Sequence, residues 1–223
     1  MASVSLARAG GATTASLLFA CVAEHGSAAH PWFGAAELVE GPDSARNLAD
    51  GIHFLCALHG RYPGVVDLAA GRALEPAARA WLAVAGEAVT AERQFLTRLA
   101  VAAGPVPSTP GGGGSEAAVA SQRNALATLA SSDRNGCALG AALAFAADWG
   151  PIRALLDGAA RRLGVAAPPC RLGGEAALGA VADEAGALAG PERALLFGAQ
   201  QLALQHRALW DLLEARHQAR LGS

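Results

Sequence analysis

The 223-residue chain contains no lysine; all 17 of its basic residues are arginine. That absence excludes Schiff-base chemistry, and with it pyridoxal-phosphate enzymes and lysine aldolases. It also removes the lysine that a nucleotide-binding phosphate loop requires. Charged residues make up 16% and the net charge is -2, so no basic field exists to attract nucleic acid. Hydrophobic residues nonetheless reach 52%, which excludes a disordered chain. Cys21, Cys56, Cys137 and Cys170 lie far apart with no C-x-x-C, neither a zinc ribbon nor a disulfide framework. In apolar helical text a free cysteine is a small hydrophobe, and the expected compartment is a reducing cytoplasm. "LFAC" leaves export or lipidation at Cys21 as the minor alternative to an ordinary amphipathic first helix. No G-x-S-x-G, H-E-x-x-H or kinase motif occurs, and neither does an internal repeat or a useful strand-period segment.

What is present is alanine, which costs no side-chain entropy in a helix. Helical segments recur with their start and stop signals. "TTASLLFACVAEHG" runs from a threonine cap to Gly26, and "HPWFGAAELVEG" reads as one short helix with Pro31 in its first turn. "PDSARNLADGIHFLCALHG" stops at Gly60, and Glu75 to Ala103 forms a long helix with Trp81, Leu82, Val84, Val89, Phe95, Leu96 and Leu99 as its apolar stripe. "CALGAALAFAAD" is apolar on every side and belongs at the centre; Cys137 to Ala147 is too short to span a membrane, and Gly150–Pro151 should kink or break the helix. Pro191 and Glu192 open a last long helix. The expected fold is all-α, a compact bundle of about seven to nine helices, with residues 1–223 as a single domain. Residues 104–115 then form a glycine-rich helix–helix loop that ends in a Ser115 cap; no strand precedes it, as a phosphate loop would need.

Several polar residues fall where apolar ones are expected. His206 lies on the apolar face of the last helix with Leu202, Trp210 (or Leu209), Leu213 and His217. Glu214 and His217 form an E-x-x-H, the half-site of a di-iron bundle, but no second E-x-x-H accompanies it. His53, Cys56 and His59 step by three along a helix; each step turns about 60°, so all three could share a metal only with strain. Asp148 closes the all-apolar helix and must pair, shift its pKa or face a cavity. Arg153, Arg123 and Arg134 are its candidate partners, in which case the pair fixes helix register. A pocket, if one exists, would lie between the "SQRNALATLASSDRNG" segment, Glu92 and His206.

The stretches "NLADGIHFLCALHGRYPGVVDLAA", "GPVPSTP", "SQRNAL" and "SDRNGCALGAA", with the spaced pattern DW..IR..LD, resemble an uncharacterised bacterial protein family over most of the chain. The resemblance implies a small α-helical protein with no assigned reaction, and it carries over no catalytic residue. The functional expectation is a helical bundle that binds a small ligand or a protein partner without catalysis, with a homodimer through alanine-rich faces as one possibility. The alternative is a bundle enzyme or a metal- or haem-binding protein. Its pocket candidates are Glu92, Arg123, Asp148 and His206, with Glu214 and His217 as the weaker metal candidates. No cofactor and no nucleic-acid partner is implied.

Overall fold

A computed structural model describes residues 11–222, and no strand occurs among them. Nine α-helices follow in order: α1 (Thr14–His25), α2 (Ala36–Val39), α3 (Ser44–His59), α4 (Val65–Ala70), α5 (Pro76–Ala103), α6 (Gly112–Ala130), α7 (Cys137–Leu163), α8 (Glu175–Ala185) and α9 (Ala189–Leu221). Two single turns of 3₁₀ helix, Ser27–Ala29 and Pro31–Gly34, join α1 to α2. One continuous apolar cluster draws residues from Leu18 in α1 to Leu213 in α9.

At its centre lies α7. Its N-terminal half, Cys137 to Ala146, is buried on every side, as expected of a helix with no polar face. α9 packs along it. At Gly140 an added Cβ would stand 1.9 Å from the Leu195 carbonyl oxygen, and at Gly198 it would stand 2.0 Å from that of Cys137. The two backbones therefore touch where glycine stands on both helices. Ala141, Ala144, Ala199 and Ala203, all without exposed surface, keep the neighbouring turns thin. Gly140 meets Leu195, and further along Asp148 meets His206, so the two helices run parallel. The length of α8 and its flanking loops makes this possible, because a parallel pair needs a long connection.

Several expectations change. α7 is neither broken nor ended at Pro151 but runs through it for 27 residues, because burial on both sides outweighs the lost backbone bond. It is thus longer than the Cys137–Ala147 run and long and apolar enough, by length and composition, to cross a membrane; 72% of that apolar window is buried in the bundle. The Pro31 segment is not one helix, since Ala35 is extended and separates the 3₁₀ turn from the four-residue α2. The N-cap of α6 is Gly111, at φ 73°, and the Ser115 side chain is buried inside the first turns. Val84 leaves the apolar stripe of α5 and is 63% exposed; Leu82, Val89, Phe95, Leu96 and Leu99 are buried as expected, and Ala78, Ala85, Ala88, Glu92 and Arg93 are buried with them.

The glycine contact gives a direct test by chemical denaturation. Gly198→Ala should cost about 3 kcal/mol or fail to fold, because backbone must move to admit the methyl group. Gly86→Ala, mid-helix in α5 with nothing within 4 Å of the new Cβ, should instead stabilise by about 0.5–1 kcal/mol.

Candidate functional site

The polar residues on the apolar stripes form three buried clusters. The first joins α7, α9 and α3. Asp148 Oδ2 accepts from His206 Nδ1 at 2.6 Å, and His206 Nε2 lies 2.9 Å from His59 Nε2. The turn after α1 completes it: Ser27 donates its backbone N–H to Asp148 Oδ1 at 2.8 Å and its hydroxyl to Oδ2 at 2.6 Å. Gly26 allows this approach, for a Cβ there would stand 2.5 Å from Asp148 Oδ1. A carboxylate only accepts, so His206 Nδ1 is the donor in this bond. Burial pushes the Asp148 carboxyl up, but His206 and the two Ser27 donors outweigh it and hold it below 3.8. Burial, then the positive fields of His206 and Arg93, keep His59 neutral, well below 6.5. The rings of Phe145 and Trp149 meet His59 edge-on and close it in.

The second cluster surrounds Glu92. Arg153 Nη1 donates to Glu92 Oε1 at 2.5 Å, and Trp149 Nε1 donates to Oε2 at 2.9 Å. Arg153 also binds Asp157 at 2.9 Å and the Pro168 carbonyl, and its guanidinium lies 4.5 Å from the Phe95 ring centroid. The third cluster ties α9 to α3 and the glycine-rich loop. Asp50 accepts from Arg216 at 2.9 Å and Arg220 at 2.6 Å, and the same arginines reach the Pro107 carbonyl and the Thr109 hydroxyl. His217 belongs here: its Nδ1 accepts from Asn47 Nδ2 at 3.2 Å, and Trp32 packs on its ring.

The sequence candidates therefore part company. Asp148 and His206 meet, while Glu92 sits in a separate pair. Arg153, Arg123 and Arg134 are not the partners of Asp148; His206 and Ser27 are, because they reach it from helices and turns that only the fold brings near. His53 donates to the Gly104 carbonyl at 2.8 Å and His59 turns to His206, so the H-x-x-C-x-x-H steps diverge. Glu214 is half-buried, and its supposed partner His217 is engaged by Asn47. Among the described residues no three His, Cys, Asp or Glu side chains converge as a metal site. Ser27, Asn47, Asp50, His59 as a partner of His206, Arg216 and Arg220 are network members that the sequence did not single out. Their one legible signal was a polar residue on a buried helical stripe, as at Asp50 between Leu48 and Ile52.

The central residues of the first two clusters are closed to solvent: His206 is 0% exposed, and Asp148 and Glu92 are 1% exposed; Asp157, at the edge of the second, is partly open. Arg123 is different. It lines an open groove of about 440 Å³ between α3 and α6, whose floor is Phe54 and Val119 and whose lining includes Arg61, His53 and Glu116. Neither Arg61 nor Arg123 has a carboxylate partner among the described residues.

Two outcomes follow for the buried groups. Arg153→Met strands the Glu92 charge and should cost about 3–5 kcal/mol in urea denaturation, and adding Glu92→Gln should restore at least half of that loss. His59 takes up a proton at its ordinary pKa of 6.5 only when unfolded. Stability is thus full above that pH and falls as the pH drops below it, with a slope that approaches about 1.4 kcal/mol per unit. Asp148, depressed in the fold, contributes stability that is lost only at lower pH, as the solution falls through its lowered pKa. Melts between pH 8 and 5 should show the His59 slope, and His59→Gln should flatten it.

No curated protein and no solved structure matches the chain. A family model does, over residues 22–221, which takes in α3, α5, α6, α7 and α9 whole and with them every residue of the three buried clusters. The chain belongs to that family, a family of unknown function (DUF6975).

Proposed function

We propose that this protein binds a small organic anion in the groove between α3 and α6, and that binding rather than catalysis is its activity. One observation carries the reading: Arg61 and Arg123, neither held by a carboxylate, line an apolar groove of about 440 Å³ floored by Phe54 and Val119. The groove's volume is that of a small-molecule site, and its apolar base is bordered by Arg61, Arg123, His53 and Glu116. Two free guanidinium groups favour an anion, since each offers a charge-assisted fork to a carboxylate or phosphate. Phe54 gives a flat apolar body somewhere to lie. Arg216 stacks beneath it, 4.8 Å from the ring centroid, and stiffens the floor.

The groups that could do acid–base chemistry support the same reading. Asp148, His206, Glu92 and Arg153 satisfy one another and expose no reactive atom to a substrate. Their role is to fix the register of the helices.

Calorimetric titration with benzoate and phenyl phosphate is the test. Saturable, salt-sensitive binding is expected, weakened about tenfold or more by Arg123→Ala, the loss of one charged hydrogen bond. Absence of saturable binding to both probes, or an Arg123→Ala variant that binds as well as the parent, would overturn the reading.

A further inference from the structure

A second site lies on the other flank of α3 and shares no lining residue with the groove above. Two depressions, of about 310 and 410 Å³, adjoin each other, with Leu48, Ala159 and Arg162 lining both. Their floors are aliphatic, with Ile52 and Ala49 on one side and Leu155 and Ala154 on the other. Small side chains make the room: Gly158 lines the larger one, and its added Cβ would meet nothing closer than Arg161 Nη2 at 3.8 Å.

Two arginines stand over this apolar floor. Arg162 donates to the Val39 carbonyl at the end of α2, a neutral acceptor, and it lines both depressions. Arg161 lines the larger one and has no carboxylate partner. Glu40 and Asp43 bracket the nearby α2–α3 turn, yet neither pairs with either arginine, and no acidic residue lines either depression. The last turn of α7 explains a preference for cations there through the helix dipole. It does not explain an arginine laid between two apolar hollows. From the aliphatic lining, the two joined lobes and the unmatched positive charge, we propose that this trough binds a single-chain aliphatic carboxylate. The chain lies on Leu48 and Ala159 and fills both lobes, and the carboxylate is held by Arg161 and Arg162. Aromatic floor residues are absent, unlike at Phe54, and a ring has no face to stack on.

The full-length protein can be titrated calorimetrically with octanoate, decanoate and dodecanoate below their micelle concentrations. The dissociation constant should fall about fourfold per methylene until the trough is full. Dodecanol should bind at least tenfold more weakly than dodecanoate. The double variant Arg161→Gln, Arg162→Gln, at two exposed positions, should lose that tenfold for dodecanoate and leave dodecanol unchanged. Gly158→Leu fills the larger lobe from a position with room for its Cβ, and it should abolish dodecanoate binding with an unchanged circular dichroism spectrum. Benzoate should not displace dodecanoate, which separates this site from the α3–α6 groove; failure at either site leaves the other standing. No saturable binding, no dependence on chain length, or equal affinity of the arginine variant for dodecanoate would overturn the proposal.

Discussion

Backbone contact between α7 and α9 is the constraint on which the rest of the structure depends. Glycine at 140 and 198 brings a helix backbone against its neighbour's carbonyl oxygens, closer than any side chain allows. Eight residues on from each glycine, about 12 Å along the axis, stand Asp148 and His206, and they bond to each other. The spacing is the same on both helices because the helices are parallel. Contact and hydrogen bond thus fix one register together. A slip of one residue would drive a Cβ into a carbonyl oxygen and leave a buried aspartate without its donor.

The remaining elements attach to this pair through the same clusters. Ser27 draws the turn after α1 onto Asp148, His59 draws the end of α3 onto His206, and Glu92 with Arg153 joins α5 to α7. Asp50 joins α3 to Arg216 and Arg220 at the far end of α9, and those arginines in turn hold the loop at Pro107 and Thr109. In an interior built from alanine, burial is only weakly selective among helix registers, because one small side chain replaces another at little cost. Buried hydrogen-bonded charges are selective, since a misplaced one is stranded. That division of labour closes the interior, and arginines without carboxylate partners border apolar floors on both flanks of α3.

Much of the fold was legible along the chain. Caps, glycines and prolines mark α1, α3, α5 and the start of α9 within a few residues, because those signals act locally. Pro151 misled for the opposite reason: its cost is local, and the packing that overrides it comes from helices distant in the sequence, α9 above all. Ser115 misled because a glycine run offers Gly111 a left-handed conformation that a serine cap does not need. Among the site residues, Glu92, Asp148 and His206 were visible as polar letters on apolar stripes. Ser27 and Asp50 carry weaker versions of that signal, and nothing in the sequence ties either to its partner.

By itself the sequence determined the class of object: helical, apolar and without a lysine nucleophile. Composition and periodicity are enough for that, because each residue's preference for a helix, a cap or the interior is its own. Only the tertiary structure decided which buried acid meets which base, and that Arg123 faces an open groove while Glu92 and His206 do not. Such pairings join positions as far apart as 27 and 148, or 50 and 220, and are set by the angle and register at which helices pack. A one-dimensional pattern records which face of a helix is buried, but not what lies against it.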